Sequence, residues 1–334
     1  MTEWIDGYAA IVLAGAAGLD FLLGDPYWRC PHPVQVMGWL IRHYTDLTFK
    51  ATKSATASAI GMRRAGVLLT VLLVVGSAAV GWGLIAFARW LHPWLGLGIE
   101  VILLAACLAG RSLRDAAEAV LAPLTAGDLL EARRRLSRYV GRDTQDLDRP
   151  EILRAVFETV AENSVDGMMG PLFYALIGAA TPLGSAPLAL AYKAASTLDS
   201  MVGYREAPYT HLGWCSARLE DGLTWIPCRL TVLTLALISR QPQTVIRLCR
   251  RDAAADPSPN SGWSECAYAA ALGVQVGGTN VYKGVVKVKP RMGDPIRPIT
   301  PEVVRAALTL NRVSFLIWLG AGAVAKLLLS ILIA

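Results

Sequence analysis

Between Arg64 and Arg89 the chain runs for 24 residues, Ala65 to Ala88, without a charge. A lipid hydrocarbon core is crossed by about 20 helical residues. The stretch therefore predicts a membrane-spanning helix with basic residues at both ends. An ordinary soluble enzyme does not carry such a helix. Composition agrees: charged residues make up 17% of the 334 and hydrophobic residues 54%, where a soluble chain carries about 25% charged. The same figures exclude a disordered chain and a small disulfide scaffold.

Other apolar stretches follow the same logic. Membrane segments are expected near 7–24, 65–90, 94–110, 167–198, 223–239 and 313–334, the fourth of them broken. Glu3 and Asp6 stand where a signal peptide would be basic, so 7–24 reads as a span. Thr181 to Pro187 reads TPLGSAP, and two prolines and a glycine do not continue one helix. Two half-helices in a re-entrant hairpin fit that segment. Segments 25–64, 111–166 and 240–312 carry six, nine and eleven Lys and Arg, and the link 91–97 carries none. By the positive-inside rule the rich segments face the cytoplasm and the N-terminus lies outside. The expected fold is all-α and polytopic, a single integral membrane domain of about four to six membrane segments. A helical, loop-rich cytoplasmic lobe comes from the polar segments 111–166 and 240–312.

The net charge of +6 does not signal nucleic acid, because the basic residues flank apolar spans and are not interleaved with aromatics. The six cysteines show no CxxC and read as small packed hydrophobes. No serine elbow, zincin motif or nucleotide-binding glycine fingerprint is present.

Five constellations remain. Gly141 to Asp146 (GRDTQD) leads into a helix with Glu158, Glu162 and Asp166 at i, i+4, i+8. Like charges at that spacing repel, and the ladder carries no basic residue to relieve them, so a divalent cation on a nucleotide phosphate is one solution. A solvated helix face is the other. Lys193 closes the broken apolar stretch, followed by Asp199, and reads as a phosphate or carboxylate partner or a snorkelling lysine. Glu220 and Asp221 precede Arg229, whose charge needs a partner, with Asp221 one option. Arg251 and Asp252, Ser258, Asn260, Glu265, Gly277 and Gly278 form the fourth set. Ser258 and Asn260 are expected to cap a helix starting near Gly262 with Glu265 in its first turn. The fifth set is Asp25 and His32, just after the first span.

The runs LDFLLGDP…HPVQVMG, GRDTQDLD…ETVAENSVDG…PLFY, YKA…TLDSMVGY and RDAAADPSPNSGWSE…LGVQVGGTNVY resemble the CbiB/CobD cobalamin-biosynthesis family over about residues 18–284. The resemblance implies a membrane-bound adenosylcobinamide-phosphate synthase. Such an enzyme joins a propionate carboxylate of adenosylcobyric acid to the amine of (R)-1-amino-2-propanol phosphate or a related amino alcohol phosphate, using ATP and Mg²⁺. It implies a multi-pass protein of the inner, cytoplasmic membrane with its active face inside, and other pathway enzymes as possible neighbours. On that chemistry Glu158, Glu162 and Asp166 hold Mg²⁺ with ATP, and Arg142, Lys193 and Arg251 meet phosphates. Asp143, Asp199 or Asp221 orients the amine or acts as base, and His32 joins the catalytic set. Asp25 and His32 line the corrinoid entrance. Thr144, Asn163, Tyr204, Asp252, Ser258, Asn260, Glu265, Gly277 and Gly278 complete the substrate and nucleotide contacts. The sequence departs from the expected pattern with Ser196, Glu220 and Thr224, where the family carries Asn, Asp and Asn. A corrinoid-pathway transporter or a non-catalytic membrane scaffold is the rival reading, since broken helices and intramembrane charges such as Glu100 and Arg229 also suit a transporter.

Overall fold

The computed structural model describes residues 2–24, 32–53 and 58–333. In chain order it contains α1 (Thr2–Leu23), α2 (Pro33–Lys53), α3 (Ala59–Leu91), α4 (Pro93–Ala105), α5 (Gly110–Thr125), α6 (Leu129–Leu136), α7 (Arg149–Ser164), α8 (Gly170–Ala179), α9 (Ser185–Val202), α10 (Trp214–Ile238), α11 (Pro242–Asp252), α12 (Ser261–Leu272), β1 (Val276–Tyr282), β2 (Val285–Met292) and α13 (Pro301–Ile333). The protein is a helical, polytopic membrane protein. Four helical stretches are long and apolar enough to cross a membrane: Ala59–Leu91, Pro93–Thr125, Trp214–Ile238 and Pro301–Ala325, with Gly7–Leu23 a shorter apolar helix.

The chain divides into two compact units. One holds residues 1–109, 170–223 and 318–334. Here α3 buries Leu69, Leu73 and Ile85 while Leu68, Val71, Leu72, Val75 and Phe87 stay exposed, an apolar outer face that suits lipid. Gly81 lets α9 come close, since a Cβ there would run into Leu190. The helix starts at Ser58, whose hydroxyl accepts from Gly61 N at 3.1 Å. It stops at His92, whose ring Nδ1 accepts from Trp94 N at 3.3 Å and so opens α4. The TPLGSAP segment breaks the chain as expected. The 10-residue α8 and the 18-residue α9 pack against each other, with Tyr174 stacked on Tyr192 at 5.1 Å between ring centroids.

One carboxylate organises the break. Glu100, 1% exposed, accepts from Arg89 Nη2 at 2.7 Å, Tyr8 Oη at 2.9 Å and the backbone N–H of Ser185 at 3.0 Å. The last of these is an orphan amide at the start of α9, so the charge caps a helix N-terminus as well as pairing with a guanidinium.

The second unit holds residues 110–169 and 224–317. Its core gathers Leu113, Val120, Leu136, Phe157, Val160, Tyr268 and Val304 from α5, α6, α7, α12 and α13. Residues 276–292, expected as an irregular loop, form an antiparallel hairpin with an irregular register between Val276 and Gly278. The signal was present in the alternation of Val286, Lys287, Val288 and Lys289 about a Lys283–Gly284 turn, but four alternating residues are a weak pattern beside long helical runs.

Candidate functional site

The polar heart of the second unit is built from α7, the loop before it and the hairpin. Helix α7 begins at Asp148, whose carboxylate accepts from Glu151 N at 2.9 Å, with Pro150 in the first turn. Three turns in, Glu158 is 2% exposed and fully engaged. Arg142 Nη2 donates to Glu158 Oε2 at 2.5 Å, and Arg154 Nη1 donates to Oε1 at 3.1 Å. The backbone N–H of Gly277 donates to the same Oε1 at 2.9 Å. Arg154 lies four residues before Glu158, so the charge that relieves the ladder was one helical turn upstream of it. Burial opposes the charge on Glu158, but the two guanidiniums outweigh it and hold the carboxyl below the usual range.

Both arginines also grip the hairpin. Asn280 Oδ1 accepts from Arg142 Nη1 at 2.9 Å and Arg154 Nη2 at 3.0 Å, and Thr279 O accepts from Arg154 Nη2 at 3.2 Å. Asp143 fastens the turn: its Oδ2 accepts from Gly284 N at 2.8 Å, its Oδ1 from Lys283 N at 3.1 Å, and its own N–H donates to Val281 O at 2.7 Å. Gly277 sits at φ +84°, where a Cβ would overlap the Pro290 carbonyl oxygen, so only glycine brings its N–H to Glu158. Two motifs far apart in sequence, GRDTQD and VGGTN, thus form one clamp.

Glu162, one turn beyond Glu158, is open to solvent. Protein packed around its inner side pushes its carboxyl above the usual range, helped by the charges of Asp256 and Glu158 and opposed by Lys289. Lys289 Nζ lies 2.6 Å from Glu265 Oε1 and 3.7 Å from Asp256 Oδ2. Burial drives the Glu265 carboxyl well up, against the pull of Lys289. Lys289 keeps its proton firmly, because the surrounding acids outweigh its own burial.

The other expected residues fall in several places. Asp166 is half-buried in the π-helical turn Val165–Met169, past the end of α7. Asn163 is exposed and donates to Thr159 O at 2.9 Å, and the buried Thr144 donates to Arg133 O at 3.2 Å. Arg251 pairs with Asp252 at 2.6 Å and Asp294 at 2.8 Å, while Asp252 accepts from Gly293 N at 2.9 Å. Helix α12 starts at Ser261, one residue earlier than expected. Its cap is Asn260, whose side chain does not bond to the helix's first amides, and the Ser258 hydroxyl accepts from Ser261 N at 3.1 Å. Glu265 is therefore in the second turn and turns to Lys289 instead of the helix end. Arg229 does not use Asp221. It donates to Pro259 O at 2.8 Å and Asn260 Oδ1 at 3.3 Å and lies 4.4 Å over the Trp263 ring. Gly278 lies next to the clamped Gly277, at φ +107°.

Within the first unit, α9 carries the half-buried Lys193 and Asp199, and Tyr204 donates to Ser200 O at 2.9 Å. His32 is buried at the head of α2, where its carbonyl accepts from Gln35 N at 2.9 Å. Asp221 lies on α10 with Arg218 at 3.9 Å. Asp25 lies outside the described residues. Sequence reasoning missed Arg154, Asp256, Asn280 and Lys289. Arg154 was legible as an i, i+4 partner; Lys289 was not, because an alternation of valine and lysine points the lysines outward, whereas here Val286 and Val288 are exposed and Lys289 is half-buried. Asp256 and Asn280 left no signal beyond standing in the matched motifs.

Among the described residues, no three His, Cys, Asp or Glu gather as a ready metal-holding group. With Glu158 taken by two arginines, the donor set fits an Mg²⁺ that draws most of its oxygens from phosphates and water and one or two from protein.

Comparison with known proteins shows the family. The family model for CobD/Cbib protein matches residues 13–311. A protein of Synechocystis sp. named cobalamin biosynthesis protein CobD is 50% identical over 310 residues, 92% of this chain and 89% of the relative. The CobD of Klebsiella pneumoniae is 44% identical over 298 residues, covering 87% and 89%. The cobalamin biosynthesis protein CbiB of Salmonella typhimurium is 42% identical over 297 residues, covering 87% and 89%. No solved structure matches the chain.

Proposed function

The chain belongs to the CobD/CbiB protein family, and from that premise we infer that its step in cobalamin biosynthesis is the ATP-dependent formation of an amide. The acid is adenosylcobyric acid, the amine is (R)-1-amino-2-propanol phosphate or a close relative, and the product is adenosylcobinamide phosphate. The observation that most supports this reading is the clamp. Glu158, Arg142 and Arg154 tie the GRDTQD loop to the glycine pair of the hairpin, beside an open carboxylate at Glu162 and a cation at Lys289. Motifs that carried the resemblance thereby share one polar site in a protein of membrane spans.

A carboxylate is a poor acyl donor, so the propionate takes the γ-phosphoryl group of ATP and becomes an acyl phosphate, releasing ADP. The free amine then attacks the acyl carbon, the C–N bond forms, phosphate leaves with the C–O electron pair, and the proton lost by the nitrogen passes to the departing phosphate or to solvent. Glu162, with Asp166 further along the chain, are the carboxylates we assign to Mg²⁺ on the nucleotide. When bound, the ion supplies charge neutralisation at the transferring phosphoryl group. Glu158 is a positioning residue in this scheme, because both its oxygens are spent on the arginines and Gly277. The corrinoid, large and partly apolar, suits a site at a membrane surface. We place the active face on the cytoplasmic side of the inner membrane, where the basic segments predict it.

The test is one reaction. Detergent-purified protein is incubated with adenosylcobyric acid, aminopropanol phosphate, ATP and Mg²⁺, and the amide is sought by mass spectrometry. Product that requires ATP is the expected result; folded protein that binds corrinoid yet makes no amide would overturn the reading. Glu162→Ala should abolish turnover without altering the unfolding profile, because the side chain it removes is open to solvent. Near-normal turnover would remove Glu162 from the metal site.

A further inference from the structure

Helix α2 is not among the stretches long and apolar enough to cross a membrane, yet it packs within the unit that holds α3 and α9. Three contacts fix where it lies. Gly38 faces the Met201 sulfur near the end of α9, Tyr44 Oη donates to Ala65 O of α3 at 3.0 Å, and the Phe49 ring meets Tyr209 at 5.9 Å between centroids. These partners share one end of the unit. Gly66, next to Ala65, abuts the Leu212 carbonyl, and Gly213 abuts that of Val202. The opposite ends of α3 and α9 meet at Glu100, through Arg89 and Ser185. Residues 38 to 49 span about 16 Å of helix, and all three contacts land at the same end of α3. A helix crossing alongside α3 would run on towards Gly81 and Arg89. Helix α2 therefore runs across the end of the bundle. The level is that of the membrane surface, because Ala65 opens the charge-free run just after Arg63 and Arg64.

The helix has three distinct sides. Met37, Ile41 and Thr45 are buried and turn to the bundle. Val36, Trp39, Leu40, His43 and Leu47 are all exposed, and helical spacing puts them on one stripe about 100° wide, away from the buried side. Trp39 lies flat on His43, 5.3 Å between ring centroids. Gln35, Arg42, Asp46 and Lys50 are exposed on the flank beside that stripe, two basic side chains to one acid. Four large apolar side chains in a row on an outer face mark a surface that meets something other than water. An apolar stripe with a tryptophan, bordered by basic side chains on a helix of low overall hydrophobicity, is the pattern of a helix lying in a lipid interface.

We propose that α2 is an in-plane helix of the membrane interface. Val36, Trp39, Leu40 and Leu47 insert at the boundary of headgroups and acyl chains, in the leaflet at the Ala59 end of α3, and Arg42 and Lys50 reach the headgroup phosphates. The bilayer is the occupant because the stripe lies at the level where α3 enters hydrocarbon and the flank beside it complements phosphate charge. The positive-inside rule makes this leaflet the cytoplasmic one. The HPVQVMG run, which opens α2, is thereby held at the membrane surface.

Full-length protein in vesicles of phosphatidylethanolamine and phosphatidylglycerol tests the idea. Val36→Cys, Leu40→Cys and Leu47→Cys place a fluorophore on the stripe, and Gln35→Cys, Arg42→Cys and Asp46→Cys place it on the flank. Cys30 and Cys215 are first replaced by serine, since the other four cysteines are buried. All six labelled positions are exposed, so the unfolding profile should not change; if one variant does not fold, the remaining positions on its side carry the comparison. Lipids with a doxyl group near the headgroup should quench the stripe labels at least about threefold more than the flank labels, and aqueous iodide should give the reverse order, as for a helix seated about 5–10 Å into the interface. Equal quenching by iodide at all positions would leave the stripe in water and overturn the proposal. Stripe labels reached by neither quencher would mean that protein covers them, a second copy of the chain included, and would also overturn it. Stronger quenching of the stripe by doxyl at the chain end than by doxyl near the headgroup would make α2 a span, a third refuting result.

Discussion

Replacing Glu158 with glutamine should loosen the hairpin Val276–Met292 far more than the rest of the unit. The carboxylate is buried, its partners Arg142 and Arg154 have side chains 9% and 13% exposed, and its third bond holds Gly277 N. Glutamine keeps the volume but removes the charge that two close guanidiniums share, and its amide N–H₂ faces a donor. Breaking a buried ion pair by removing one partner costs about 3–5 kcal/mol. If that cost falls on hairpin opening, the lower figure corresponds to about a 100-fold rise in amide exchange, at about 1.4 kcal/mol per tenfold. Hydrogen–deuterium exchange at neutral pH, read on peptides covering 276–292, measures this directly, with peptides from α5 as the internal control. The triple variant Glu158→Met, Arg142→Met, Arg154→Met should recover much of the protection, since it leaves no uncompensated charge. The pH dependence has a definite sign. The folded Glu158 carboxyl lies below its unfolded value, so its stabilisation is complete above the unfolded pKa and is lost as pH falls through the folded one. Acidification should therefore weaken hairpin protection in the wild type and change it little in Glu158→Gln. A rise of less than about threefold at neutral pH, with α7 intact, would refute the claim that this triad holds the hairpin.

Three further outcomes follow from local geometry. Gly277→Ala should destabilise by about 2–3 kcal/mol or prevent folding, through positive φ and overlap with Pro290 O, whereas Gly284→Ala, at positive φ in open space, should cost about 1 kcal/mol; thermal unfolding compares the two. Glu100→Ala leaves Arg89 and Ser185 N without their acceptor and should lower Tm more than Glu131→Ala, whose carboxylate serves exposed arginines on a short helix. Arg205→Cys, just beyond α9, should react with an impermeant maleimide only from the cytoplasmic face of oriented vesicles. Labelling from the opposite face would place that loop away from an ATP-facing site.

The sequence made some features easy to read and hid others for physical reasons. Hydrophobic length marked α3, and TPLGSAP marked the α8–α9 break, because both signals lie within one local stretch. The acid ladder was visible as spacing on one helix face. Its use was not, because spacing says which residues share a face and not what the face meets. Glu158 meets two arginines and a glycine amide, while Glu162 reaches solvent. Asp143 reads as a free acid in GRDTQD, yet it holds a turn 140 residues away. Such long-range pairings leave no periodicity behind. Glu265 looked like a helix-end residue and proved to be the buried partner of Lys289, a strand residue whose inward register is decided by the hairpin bulge.

The carboxylate of Glu100 deserves a mechanical reading. It joins Tyr8 of α1, Arg89 of α3 and the first amide of α9 at a vertex on α4, so four helices share a single pin. A joint of this kind resists sliding in every direction at once. The α8–α9 hairpin is then a bracket fixed to its neighbours, and any motion of its first turn must either carry the four helices together or break the bonds to Glu100.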